Sequence, residues 1–70
     1  MMTLIEIKQR RSAAVAELSE WFDPEKASFR ADEAEGQLVV VARVAAPKAR
    51  PIVASVIRRH FPNAEVLFEL

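Results

Sequence analysis

The sequence predicts an α+β domain, a two-layer sandwich in helix-strand-strand-helix-strand order with both helices on one face of a three-stranded mixed sheet. Three observations predict it. Two segments carry apolar residues at helical spacing between start and stop signals. A Val-rich run between them alternates as a strand does. The C-terminal residues alternate again with period two.

The first helix is expected over residues 3–22. Thr3-Leu4-Ile5-Glu6 matches a capping box, with a hydroxyl at the N-cap and a Glu three residues on. Leu4, Ile7, Arg11, Ala14, Val15, Leu18, Trp21 and Phe22 then recur on one stripe, with the stem of Arg11 packed at its edge. Lys8, Arg10, Ser12, Glu17 and Glu20 take the wet side. Asp23-Pro24 stops the helix, because a residue before proline resists the α region. Asp23-Pro24-Glu25-Lys26 can add one further turn, with Asp23 as cap and Pro24 at the first position.

Residues 28–32 alternate as a short polar strand. Residues 32–36 form a turn in which Gly36 can take positive φ. Residues 37–45 are the strongest strand signal in the chain, so a hairpin with a loop of about 4–5 residues is expected. Pro47 and Pro51 punctuate the next junction. Pro51 suits the first turn of a helix over residues 51–61, whose stripe is Ile52, Val53, Val56, Ile57 and Phe61. Pro62-Asn63 turns the chain into a third strand over residues 65–70. Strand, helix, strand closes as a crossover between parallel strands, which makes the Val-rich strand the centre of the sheet.

Period two then sorts the strands into two faces. Phe29 and Ala31, with Leu38, Val40, Ala42 and Val44 and with Val66, Phe68 and Leu70, face the helices. The other face carries Arg30, then Val39, Val41 and Arg43, then Glu65, Leu67 and Glu69. Its centre is apolar and its rim charged.

Composition excludes more than it assigns. Seventy residues make one domain, 1–70. At this size a core typically supplies roughly 3–5 kcal/mol, so association would stabilise it readily. Ten basic residues balance ten acidic ones, against the profile of a dedicated phosphate binder. Absence of cysteine fits a reducing compartment. The opening Met1-Met2-Thr3-Leu4-Ile5-Glu6-Ile7-Lys8 lacks the long apolar run of a signal peptide, and no stretch approaches a membrane span. The expected setting is cytoplasmic, without membrane attachment.

Catalytic and metal sites are not expected. The single histidine, His60, sits in the last turn of the second helix, where the helix dipole favours a cation. Nucleophilic catalysis needs a hydroxyl or thiol beside a base, and one glycine cannot build a phosphate loop. Asp32, Glu33 and Glu35 crowd the hairpin without the ligand spacing of a calcium loop, and zinc chemistry lacks its Cys and His clusters. No cofactor is called for. Trp21 and Phe22 read as core residues closing the first helix.

The element order is similar to that of small KH-like RNA-binding modules, which hold the phosphate backbone with a Gly-x-x-Gly loop that this chain lacks. Its basic residues are Lys8, Arg10, Arg11, Lys48, Arg50, Arg58 and Arg59. The order also resembles the small domain of iron–sulfur scaffold and cluster-targeting proteins. There a Cys-x-x-Cys follows the second strand, where this chain has Ala45-Ala46-Pro47-Lys48-Ala49-Arg50-Pro51. No residue role carries over from either. The expected function is a non-enzymatic protein–protein interaction or adaptor module. It would bind a protein partner or a second copy through the open sheet face or a strand edge. The alternative is an RNA- or ribosome-associated module that uses the basic helix surfaces.

Overall fold

The computed structural model describes residues 3–69. Helix α1 spans Leu4–Ser19, strand β1 Ala27–Ala34, β2 Gln37–Val44, helix α2 Arg50–His60 and β3 Glu65–Phe68, with one 3-10 turn, Pro47–Ala49, ahead of α2. The sheet order is β1-β2-β3, with β1 antiparallel and β3 parallel to the central β2. The expected α+β order and mixed sheet are therefore found.

Thr3 is the N-cap of α1, and its hydroxyl accepts the Glu6 amide at 3.2 Å. The helix stops earlier than its periodicity suggests, at Ser19 rather than Phe22. Both the Trp21 and Phe22 amides turn back to the Leu18 carbonyl. A hydrogen-bonded turn follows, in which the Lys26 amide donates to the Asp23 carbonyl at 2.8 Å. That is the extra turn Pro24 was expected to start. The hairpin is tighter than expected. Glu35 (φ 54°) and Gly36 (φ 78°) alone make the turn, which extends β1 to Ala34 opposite Gln37. Two successive positive φ values match the twist of the flanking strands.

The buried cluster joins Ala14 and Leu18 of α1 to Val53, Val56 and Ile57 of α2, to Val40 and Ala42 of β2, and to Ala27 and Phe61. Phe29, Ala31, Leu38, Val44, Val66 and Phe68 pack against it half-buried, so the strand positions expected to face the helices do meet the core. Leu70, expected in the same row, lies outside the described residues. Phe29 and Phe61 meet edge to face with centroids 6.3 Å apart.

Four stripe residues do not pack as expected. Leu4 and Trp21 are each 67% exposed, Val15 is 45% exposed on α1, and Ile52 is 51% exposed on α2. Arg11 is also exposed rather than packed along its stem. The long α1 meets the core only through Ile7, Ala14, Leu18 and the following Phe22, a stripe narrower than its apolar periodicity. On α2 the small Ala54 is buried instead of Ile52.

Candidate functional site: the open sheet face

The strand register fixes the face opposite the core cluster. Ser28 pairs with Arg43, Arg30 with Val41 and Asp32 with Val39, while Glu65 lies beside Val39 and Leu67 beside Val41. The middle row is thus Arg30, Val41 and Leu67, and one end row is Asp32, Val39 and Glu65. Glu69 extends the other end beside Arg43, its amide bonded to the Ala42 carbonyl at 2.8 Å. The seven residues expected on this face are brought together. Val39 and Val41 are half-buried, and Leu67 is 45% exposed.

The rim charges are partly paired. Arg30 reaches Asp32 at 3.2 Å with Nε and Glu69 at 3.3 Å with Nη1. These groups are well exposed, and such pairs contribute about 0–1 kcal/mol each. Arg43 and Glu65 have no ion-pair partner among the described residues. Ser28 is a further face residue, as is Asp32, which the sequence placed where strand and turn meet without assigning it a face. Counting two residues on from Arg30 places it on this face.

Away from this face, His60 serves the fold. His60 Nε2 lies 2.9 Å from Glu17 Oε1, and Arg59 pairs with the other Glu17 oxygen. Arg10 donates to the His60 carbonyl at 3.1 Å. Together they clasp the end of α2 to the C-terminal half of α1, with Arg10 holding it from the middle. His60→Gln should lower stability by only about 0.3–1 kcal/mol, since the helix-end interaction is a small term and a Gln amide can still donate to Glu17. Thermal unfolding should show a midpoint drop of a few degrees.

Arg50 lies over the Phe68 ring, 5.8 Å from its centroid. Three of the seven basic residues, Arg10, Arg50 and Arg59, are thereby engaged within the chain. Lys8 and Arg11 share the outer flank of α1 with Ser12 and Val15. A cleft of about 470 Å³, which the sequence did not reveal, lies between α1, the hairpin turn and the Pro62-Asn63 turn. Ile7, Leu38 and Ala64 line it with Glu6, Arg10 and Glu33, a set without a nucleophile beside a base. Among the described residues no three His, Cys, Asp or Glu side chains could hold a metal ion together, and no helix is long and apolar enough to cross a membrane.

No family model matches the chain, and the searches of curated proteins and of solved structures find no match either.

Proposed function

We propose that the chain is a non-enzymatic interaction module that associates with a second copy of itself through the open sheet face. The observation that supports this most is the apolar centre Val39, Val41 and Leu67 inside a rim of both charge signs. A self-complementary surface needs both signs, because a two-fold interface presents the same patch twice.

The register suggests the arrangement. A second copy turned end for end, about an axis in the sheet plane and across the strands, sets Val41 on Val41 and Leu67 beside its mate. It carries Arg43 of each copy to the row of Asp32, Val39 and Glu65 of the other. Arg43 then gains Asp32 and Glu65 of the other copy as neighbours, while the same rotation sets Arg30 on Arg30 and Glu69 on Glu65, like-charge contacts that the Arg30–Glu69 pair within each copy offsets only in part. Sheets packed face to face lie about 10 Å apart with strands within about 30° of alignment, which this geometry allows.

The magnitude limits the affinity. Two strands roughly 27 Å long and a third of about 13 Å, spaced about 4.8 Å apart, give a face of about 320 Å², so two copies bury on the order of 650 Å² together. That lies at the weak end of specific interfaces, and the expected dissociation constant is micromolar or weaker. Light scattering over a concentration series tests the reading. The mass should rise above the 7.9 kDa of one chain at high micromolar concentration. A constant 7.9 kDa would refute self-association.

A further inference from the structure

We propose that β1 pairs antiparallel with β1 of a second copy, in the register centred on Ala31, to make one continuous sheet. The inference rests on the reading that the chain associates with itself, and adds a second contact at the sheet edge. β1 is an edge strand with one side unpaired in the sheet order, and it is eight residues long against four for β3, the other edge.

Two facts select the register. The Ala45 amide donates to the Lys26 carbonyl at 2.8 Å, one step beyond the Ala27–Val44 pair. Antiparallel pairs alternate between hydrogen-bonded and non-hydrogen-bonded. Ser28, Arg30 and Asp32 therefore bond toward β2, while Phe29, Ala31 and Glu33 direct their N–H and C=O groups away from it. Those outward groups require an odd-numbered residue opposite an odd-numbered one.

Charge then separates the register centred on Ala31 from its two nearest alternatives. With Ala31 opposite its mate, Arg30 falls opposite Asp32 of the other copy on both sides of the axis, and Phe29 falls opposite Glu33. One step to either side places Arg30 on Arg30 or Asp32 on Asp32. Like charges directly opposite are destabilising, and opposite charges stabilise. Arg30 and Asp32 already lie on one face, 3.2 Å apart, with side chains 65% and 61% exposed. They can exchange partners across the edge without unburying anything.

The chain has no cysteine, so a disulfide can report the register cleanly. Arg30→Cys and Asp32→Cys chains are mixed in a glutathione buffer, each alone and together, and the disulfide-linked species are counted by mass spectrometry. The proposed register sets residue 30 opposite residue 32 in a non-hydrogen-bonded pair, within disulfide reach. Residues 30 and 30, or 32 and 32, stand on the diagonal at about 7–8 Å, beyond it. The heterodimer also keeps one Arg30–Asp32 pair, whereas either homodimer loses both. The mixed disulfide should exceed each homodisulfide by at least about tenfold. Statistical proportions, a dominant homodisulfide or no cross-link would overturn the proposal. Face-to-face packing leaves these positions about 10 Å apart and cannot produce the result, so the face and the edge fail separately.

Discussion

Val41→Glu should abolish self-association through the sheet face and leave the monomer folded. Val41 occupies the centre of the proposed interface, where the two-fold axis brings it onto its own mate. The substitution would set two carboxylates against each other and strip them of water, a desolvation of several kcal/mol per ion that a neighbouring cation repays only in part. A loss of about 3 kcal/mol is already more than a hundredfold in affinity. In the monomer the same position is only half-buried and lies on the face away from the core cluster. There Arg30 is its direct cross-strand neighbour, so the new carboxylate meets a cation. The lower strand propensity of Glu costs at most about 1 kcal/mol, offset in part by that pair. Light scattering should read a mass below that of the unsubstituted chain at matched concentration, with an unchanged circular dichroism spectrum. Unfolding of the variant would mean that Val41 is needed inside the monomer.

Phe61→Ala should unfold the chain. Phe61 is fully buried, meets the edge of Phe29, and caps α2 with its amide bonded to the Ile57 carbonyl at 2.8 Å. Deleting a buried Phe side chain costs about 3–5 kcal/mol through lost transfer energy and the cavity left behind. A core of this size supplies about as much in total. Circular dichroism should therefore show mostly unfolded protein at room temperature. A cooperative transition with a midpoint within a few degrees of the unsubstituted chain would contradict the packing described.

The two predictions draw on parts of the fold that were unequally legible in the sequence. Period two in the Val-rich strand sorted Val40 and Ala42 inward and Val39 and Val41 outward, and the register agrees. Helical periodicity grouped residues correctly but did not say how wide a stripe the core would cover. α1 lies at the periphery and buries Ala14 and Leu18, so Leu4, Val15 and Trp21 remain exposed although they share the periodicity. Small buried residues such as Ala27 and Ala54 carry no signal, because Ala is common on both sides of a helix or strand. The hairpin was placed but drawn too loose. Glu-Gly lacks the Asn or Asp that marks a two-residue turn, and Glu35 takes positive φ without it. The His60–Glu17 contact joins residues 43 apart and is fixed only when the helices pack. Of the open face, seven members were legible, and Ser28 and Asp32, the two ends of the expected first strand, were not assigned to it although the same alternation puts them there.

The most direct test of association through the sheet face is the change of NMR shifts on dilution. Between high and low micromolar concentration, the resonances of Val39, Val41, Arg43 and Leu67 should move together along one binding curve. Those of the fully buried Val53 and Ile57 should stay in place. Shifts confined to the outer flank of α1 around Lys8 and Val15, with Val41 and Leu67 unmoved, would contradict it.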